Sequence, residues 1–352
     1  MDTVIRNVAL LYTAGCPDIT SRQAIRSYLW RFLSDRNVIR LNPLLWRTIL
    51  ALMILPRRPA AIQARYRQIA IDGHNPLRLH LEALTRRLNE RSDTIIFRQV
   101  CTYTPPTIEQ ALQDLEVTEL KNVIVLPLYP QHTEITHRSC FEQADRCLSA
   151  RGFDHRTIQV HSYCRNPCYL EAITRSIIRQ ASPQQDLILS FHSMRTDYIR
   201  DGDVYQEECE LTFAALRSRL SEAGWDENRV HLTYHSPFGR RMWLGPRLEE
   251  VAAQLARSGV RELAVCAPGF PLDCLETLYD IAIACRQVFI EQGGRELTVV
   301  SCLNDSDDQV ELLHGIADQI VTSITLAKQG HEHDHDHEHG HGHEHGHGHE
   351  HA

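Results

Sequence analysis

The chain has 352 residues, of which 43% are hydrophobic, and a formal net charge of -8. Residues 331–352 hold six acids and no base, so residues 1–330 are nearly neutral, with 37 basic against 39 acidic residues. This balance argues against a nucleic-acid partner, and the length allows one large core or two ordinary ones. The eleven cysteines include no CxxC pair and nothing at the start resembles a signal peptide, so we expect reduced thiols in a cytoplasmic protein.

Eight apolar runs of strand length follow one another along the chain. They are VALLY (8–12), TIIFRQV (94–100), NVIVLPL (122–128), TIQVHSY (157–163), DLILSF (186–191), RVHLTY (229–234), ELAVCAPGF (262–270) and LTVVSCL (297–303). Stretches with helical spacing separate most of them, at 107–120, 136–150, 166–180, 205–222, 246–258 and 274–292. The alternation predicts an α/β fold with parallel sheets flanked by helices. Because residues 1–175 and 176–329 each contain four runs, we expect two similar doubly wound, Rossmann-like halves.

One early segment, LNPLLWRTILALMILP at 41–56, is apolar for most of its length and is followed by Arg57 and Arg58. It is shorter than the roughly 20 apolar residues that span a bilayer. The segment is consistent with a buried helix. It is equally consistent with an apolar lip that faces a hydrophobic ligand or a membrane surface, with the arginines at its edge.

The chain ends in a tail of low complexity, 330–352, that cannot build a packed core. Histidines alternate there with Glu, Asp or Gly, at His331, His333, His335, His337, His339, His341, His343, His345, His347, His349 and His351. Alternating imidazoles and carboxylates predict a segment that binds Ni²⁺, Co²⁺ or Zn²⁺.

Ligands of open α/β folds collect beyond the carboxyl ends of the strands. The run DLILSF ends at His192, and the run 262–270 leads into a helical pattern with acids at Asp273, Glu276 and Asp280. In an α-helix these acids, at i, i+3 and i+7, share one face. Acids in a first helical turn also complement the helix dipole, which is the alternative explanation for Asp273.

Several long motifs in the right order resemble the ferrochelatases, which insert iron into protoporphyrin or coproporphyrin to make haem. The matching stretches are LPLYPQHTEIT (126–136), LSFHSMRTDYIRDGDVYQEEC (189–209), HSPFGRRMWLGP (235–246), APGFPLDCLETLYDI (267–281) and GGRELTVVSCLND (293–305), together with segments between 27 and 69. The resemblance covers nearly all of residues 5–305. It implies the chelatase fold, with a porphyrin cleft between the two halves.

The resemblance also implies roles for individual residues. His192 and Glu276 take the places of the family's catalytic histidine and glutamate, and Asp273 and Asp280 are the neighbouring acids of a metal and proton path. A tyrosine of the family pattern is His132 here, which adds a predicted metal ligand. The residues that line the porphyrin cleft or its rim by resemblance are Arg58, Tyr66, Tyr103, Ser236 and Trp243.

The chemistry explains this choice of residues. Metal insertion requires two pyrrole N–H protons to leave and the metal ion to lose water. Histidine exchanges protons near neutral pH, and clustered carboxylates can carry protons out or cations in. We expect no cofactor beyond the substrate Fe²⁺. An iron–sulfur cluster on Cys140, Cys147, Cys164 and Cys168 is disfavoured by their irregular spacing.

Three functions remain open at the level of sequence. The first is a ferrochelatase that uses Fe²⁺, with a porphyrin, a divalent metal and a peripheral membrane contact as partners and a cytoplasmic location. The second is a cobalt or nickel chelatase of the same fold, which the tail supports. The third is a non-catalytic metal buffer or tetrapyrrole carrier, which departures from the family pattern at Thr102, Thr104 and Ala14 support.

Overall fold

The computed structural model describes residues 6–153, 157–237 and 242–337, with side chains up to residue 327. All eight predicted strands are confirmed. They are β1 (Arg6–Thr13), β2 (Ile95–Cys101), β3 (Leu120–Pro127), β4 (Thr157–Gln159), β5 (Asp186–His192), β6 (Val230–His235), β7 (Glu262–Cys266) and β8 (Glu296–Val300).

Helices connect these strands throughout the described residues. The α-helices are α1 (Arg22–Ser34), α2 (Pro43–Ile49), α3 (Arg58–Ile69), α4 (Pro76–Arg91), α5 (Ile108–Ala111), α6 (Ser139–Ala150), α7 (Pro167–Gln180), α8 (Thr196–Arg200), α9 (Tyr205–Glu222), α10 (Leu248–Arg257), α11 (Arg286–Glu291) and α12 (Asp307–His337). Segments of π-helix occur at Leu50–Ile54, Glu134–Arg138 and Glu276–Cys285, and 3₁₀ turns at Val117–Glu119 and Glu227–Arg229.

The strands form two parallel four-stranded sheets, ordered β2-β1-β3-β4 and β6-β5-β7-β8. The second order repeats the first, with β5 in the place of β1, which confirms the prediction of two similar doubly wound halves. One apolar core joins them, because a single cluster contains Ala9 and Leu126 of the first sheet and Leu189 and Ala264 of the second.

In each half the chain moves from the central strand to one neighbour and then crosses to the other side. A crevice opens beyond the carboxyl ends of the strands at such a reversal, and ligands bind there. In the second sheet, β5 ends at His192 and β6 ends at His235, and the register pairs these two residues. The topology therefore places two imidazoles at the edge where a ligand is expected.

The predicted division of the chain at residue 175 falls inside α7. The long α12 follows the last strand and packs against α4 and α7. The position of the division stays a prediction.

Of the predicted helices, 107–120 is wrong. Only α5 and one 3₁₀ turn form there. The hydroxyl of Thr107 caps α5 by accepting a hydrogen bond from the amide of Gln110. Beyond α5, the β-branched Val117 and Thr118 disfavour a continued α-helix because their side chains lose rotamer freedom there, and they form the single 3₁₀ turn instead.

The apolar segment 41–56 forms a helix that is half-buried. Leu50 and Leu55 are buried in a small core with α1, and the Trp46 indole donates a hydrogen bond to the carbonyl of Leu33. The outer face is exposed, with Leu44 at 80%, Leu45 at 65%, Leu52 at 69% and Met53 at 62%. A fully buried helix is therefore wrong, and the segment presents an apolar surface. No helix among the described residues has the length and apolar character needed to cross a bilayer.

Candidate active site

His192 ends β5 half-buried at the carboxyl edge of the second sheet. Its ring Nδ1 lies 2.7 Å from the carbonyl oxygen of Ser193. A carbonyl can only accept a hydrogen bond, so Nδ1 carries the proton and Nε2 keeps its lone pair. The strand end and this bond together fix the orientation of the imidazole.

The neighbouring imidazole, His235, is held differently. It is fully buried, and its ring centroid lies 6.1 Å from that of His192. The hydroxyl of Thr233 donates to that of Ser190, which shares a hydrogen bond of 2.8 Å with Nδ1 of His235. Burial, with a smaller contribution from His192, lowers the pKa of His235 to about 3. His235 therefore stays neutral.

Asp280 brings a carboxylate to this edge from the π-helical segment Glu276–Cys285. Its Oδ2 accepts a hydrogen bond from the hydroxyl of Ser236, whose φ of 56° is rare for a residue other than glycine. Burial raises the pKa of Asp280, and Glu276 adds to the rise, while Ser236, Arg65 and His192 lower the pKa. The effect of burial is the larger one. Asp280 therefore holds a proton more readily than an exposed aspartate.

Arg65 on α3 reaches this carboxylate from the first half of the molecule. Its guanidinium lies 3.7 Å from Oδ1 of Asp280 and stacks 4.9 Å from the ring centroid of Tyr279. Arg58, also on α3, is half-buried, and burial followed by the charge of Arg65 lowers its pKa. Arg65 thus lies beside the acidic π-helical segment, and Arg58 precedes it by seven residues on α3.

Glu276 begins the π-helical segment, and its charge acts on three tyrosines, Tyr28, Tyr66 and Tyr129, which we call the wall of tyrosines. Burial raises the pKa of Tyr28 and of Tyr66 well above the ordinary value, and the charge of Glu276 adds to both shifts. The charge of Glu276 also contributes to the raised pKa of Tyr129, whose hydroxyl accepts a hydrogen bond from the amide of Ala14 at 2.8 Å. These phenols stay protonated, and all three lie within electrostatic reach of the Glu276 carboxylate.

Three of these residues were not predicted from the sequence: Tyr28, Tyr129 and Arg65. For Tyr129 a signal existed, since it lies two residues beyond β3 and so at the carboxyl edge of the first sheet. For Tyr28 and Arg65 the sequence carried none, because their position depends on how α1 and α3 pack against the second half.

Asp273 lies apart from the line formed by Glu276 and Asp280. It is buried, and its carboxylate accepts hydrogen bonds from the Thr277 hydroxyl at 2.9 Å and the Asn304 amide at 2.7 Å. Both oxygens are therefore engaged within the protein. Its predicted role on the metal path stays a prediction.

His132 belongs to a second group of histidines on the segment that follows β3. Its ring centroid lies 4.6 Å from that of His137 and 5.4 Å from that of His161. Its ring bonds to the carbonyl of His161 at 3.2 Å, and its Nε2 lies 3.5 Å from a carboxylate oxygen of Glu134. Within the described ranges, no group of three or more His, Cys, Asp or Glu side chains is arranged to hold a metal ion. Metal binding by His132 stays a prediction.

The remaining predicted cleft residues occupy two places. Tyr103 is buried, packs edge-on against Phe32 and donates its hydroxyl to Asp35 at 2.8 Å. Trp243 is half-buried and pairs through its backbone with Arg195, close to the strand end that carries His192. The tail histidines, 331–351, lie outside the residues whose side chains are described.

The chain has two similar halves, each built on a parallel four-stranded sheet, and an imidazole ends a strand of the second sheet. This is the architecture of the chelatase fold. The solved structure of SirB from Bacillus subtilis with Fe³⁺ has a TM-score of 0.53 and 10% sequence identity, covering 88% of this chain and 94% of that one. The sirohydrochlorin chelatase SirB from Bacillus subtilis subspecies spizizenii, in complex with cobalt, has a TM-score of 0.50 at 10% identity, covering 87% and 92%. At this identity the likeness is one of fold.

Within that class, the chain belongs to the ferrochelatase family, whose family model matches residues 7–320. The ferrochelatase of Chelativorans sp. (strain BNC1) is 35% identical over 316 residues, which cover 87% of this chain and 89% of that protein. The ferrochelatase of Proteus mirabilis (strain HI4320) is 33% identical over 314 residues, covering 87% and 95%. The resemblance carried by the sequence motifs is confirmed.

Proposed function

We propose that this protein is a ferrochelatase, a lyase that inserts Fe²⁺ into a porphyrin, protoporphyrin or coproporphyrin, in haem biosynthesis. The observation that supports this most directly is His192 at the carboxyl edge of the second sheet, within electrostatic reach of Asp280, with Glu276 on the same segment as Asp280. A large flat substrate with acidic edges fits the wall of tyrosines and the arginines of α3.

The groups have complementary tasks in this proposal. His192 accepts the pyrrole protons at Nε2, because its Nδ1 is already used in the bond to Ser193. Asp280, whose pKa is raised, receives protons and passes them along the segment toward Glu276. The hydroxyl of Ser236 keeps the Asp280 carboxylate in place. The metal ion is a substrate here, and the proposal requires no cofactor.

An anaerobic absorbance assay tests the proposed activity. Protoporphyrin, coproporphyrin and sirohydrochlorin are each offered with Fe²⁺, Co²⁺, Ni²⁺ or Zn²⁺, and the formation of the metallated ring is followed. We expect Fe²⁺ to enter one of the two porphyrins catalytically. Turnover confined to Co²⁺ or Ni²⁺ would instead favour the cobalt or nickel chelatase, for which the His-rich tail is the supporting observation. Binding of the ring without turnover would favour the metal buffer or tetrapyrrole carrier.

We propose that the tail stores metal for the body of the protein. Eleven imidazoles and six carboxylates in residues 331–352 provide ligands for several divalent ions but no shaped pocket for a porphyrin. A tether of this kind keeps bound metal at an effective concentration on the order of millimolar.

Deletion of residues 331–352 is expected to leave the rate at saturating metal unchanged and to lower it about tenfold when metal is scarce, since tethering then supplies the ion. Titration with Ni²⁺, Co²⁺, Zn²⁺ and Fe²⁺ should show that the tail prefers the first three. A variant that keeps the length and acids of the tail, with asparagine in place of each histidine, is the control that separates metal binding from charge. Loss of activity at saturating metal would assign the tail to the catalytic machinery and contradict storage.

We also propose a cytoplasmic location with peripheral membrane contact through the lip, defined as the exposed apolar residues Leu44, Leu45, Leu52 and Met53. Their exposed apolar surface is contiguous with the exposed arginines Arg47 and Arg57, a combination that favours the surface of a bilayer with anionic lipids.

Replacement of all four lip residues with serine is expected to weaken binding to vesicles that contain phosphatidylglycerol at least tenfold, because the apolar area that enters the bilayer is lost. Cosedimentation measures binding, and circular dichroism verifies folding. The matched control carries serine at Ile178, Leu211, Ile290 and Leu326, which are exposed elsewhere on the molecule. Equal binding by the two variants would remove the lip as a membrane contact.

A further inference from the structure

A cavity of about 710 Å³ lies beside the carboxyl end of β2, between α5 and α6. Its lining shares no residue with the group formed by His192, Ser236, Glu276 and Asp280. Cavities that hold a small organic ligand typically measure about 300–1,000 Å³, so this one is far too large for a single inorganic ion. Its place at the end of a parallel strand is the place where α/β folds bind ligands.

Positively charged side chains outnumber acidic ones in the lining of the cavity. Arg31, Arg146 and Arg151 line the cavity, against a single acid, Glu109. No carboxylate of a described residue lies within ion-pair distance of Arg31 or Arg146. Arg138, by contrast, stands two helical turns before Arg146 and is paired with carboxylates on both sides, 3.0 Å from Glu142 and 3.5 Å from Glu134. The charge around the cavity is therefore left uncompensated by the described residues.

Backbone carbonyls fix the arginines in position without neutralising them. Arg31 donates from Nη1 to the carbonyl of Tyr103 at 3.2 Å, and Arg146 donates from Nε to the carbonyl of Glu142 at 3.0 Å. Each guanidinium has five N–H donors, so most donors of both groups remain for a ligand. Such a planar fork matches a carboxylate or a phosphate.

The rest of the lining includes apolar side chains and the side-chain amide of a glutamine. Ile108 and Cys147 are buried and form an apolar portion. Gln143 also lines the cavity and donates its side-chain amide to the carbonyl of Thr102 at 3.3 Å, which leaves its oxygen for a ligand donor. A ligand that uses all of these features carries anionic groups on a body of some size.

We infer that this cavity binds an organic anion with two or more phosphate or carboxylate groups, held by Arg31 and Arg146. The two guanidiniums come from different helices, α1 and α6, so one anionic group at each requires a ligand that spans the space between them. Arg151, which donates to the carbonyls of Leu112 and Leu115, adds to the positive potential. Tyr103, which the resemblance places at the porphyrin cleft or its rim, also lines this cavity, but the inference rests on the arginines and does not require metal insertion.

Isothermal titration of the full chain, without iron or porphyrin, tests the inference at fixed salt concentration with two probes, ADP and citrate. We expect saturable binding of at least one of them, with ADP indicating a phosphate ligand and citrate a carboxylate ligand. The double variant Arg31→Gln and Arg146→Gln should bind the preferred probe at least tenfold more weakly than wild type. The control Arg138→Gln, whose arginine is already paired with carboxylates, should bind it with an affinity within twofold of wild type.

Arg146→Gln alone provides the test if the double variant does not fold, because Arg146 is exposed and its hydrogen bond is made within its own helix. This variant should bind the preferred probe at least threefold more weakly than wild type. The inference is overturned if neither probe binds saturably, if the arginine variants bind as tightly as wild type, or if Arg138→Gln weakens binding equally. Since no turnover is measured, failure here leaves the proposed metal insertion untouched.

Discussion

Replacement of His192 with alanine is expected to lower the rate of metal insertion at least a hundredfold. The imidazole is oriented by its bond to Ser193, and its free Nε2 is the basic nitrogen at the carboxyl edge of the second sheet. A positioned acid–base group contributes about 10²–10⁴ in rate, and alanine removes the whole contribution. His235 cannot take over, because burial holds its pKa at about 3.

Binding of the porphyrin should change little in this variant, since the wall of tyrosines and the arginines of α3 are retained. Quenching of protein fluorescence by free-base porphyrin measures the affinity, and the absorbance assay measures turnover. His74→Ala, at an exposed histidine outside the site, controls for the loss of an imidazole as such. A His192→Ala variant that inserts iron at the wild-type rate contradicts the assignment of the catalytic base.

The strands, and the sheet edge at which the candidate site lies, could be predicted because both follow from local rules. Apolar runs bounded by turns fix the strands, alternation with helices fixes a parallel sheet, and a parallel sheet binds ligands at its carboxyl edge. Applied to the run 186–191, these rules lead to His192 without any knowledge of its contacts. The same rules explain why the halves repeat one another in strand order.

The acidic line was harder to predict because its geometry depends on helix type. The sequence places Asp273, Glu276 and Asp280 on one face only if the residues follow an α-helix of 3.6 residues per turn. The structure has a π-helical segment from Glu276 to Cys285, whose wider turn changes which side chains share a face. Asp280 therefore reaches Ser236 and Arg65, whereas Asp273, ahead of the segment, is bound by Thr277 and Asn304.

Contacts between distant parts of the chain could not be predicted at all. Arg65 meets Asp280 because α3 packs beside the π-helical segment, and the charge of Glu276 reaches Tyr28 on α1, which packs against α3. The half-buried state of the segment 41–56 has the same origin, since the core that covers Leu50 includes residues of α1. Periodicity shows that a helix has an apolar side, but not how much of that side the tertiary packing will cover.

Replacement of Glu276 with glutamine is the second change for which we expect a large effect, a loss of turnover of at least tenfold. The amide keeps the size of the side chain but cannot accept and release a proton. Glu276→Asp, which keeps a carboxylate on a shorter chain, should recover part of the rate. Glu291→Gln, at an exposed glutamate in α11, is the matched control and should insert iron at the wild-type rate.

The double variant with His192→Ala distinguishes a shared proton path from two independent effects. Groups that act in one step give strongly non-additive losses, because removing either group already disables the step. If Glu276 passes on protons received through His192 and Asp280, adding Glu276→Gln to His192→Ala should lower the rate by less than threefold more. If the double variant instead loses the product of the two single fold-losses in rate, Glu276 acts on a separate event, such as delivery of the metal ion. The acidic line then does not carry away the protons released at His192.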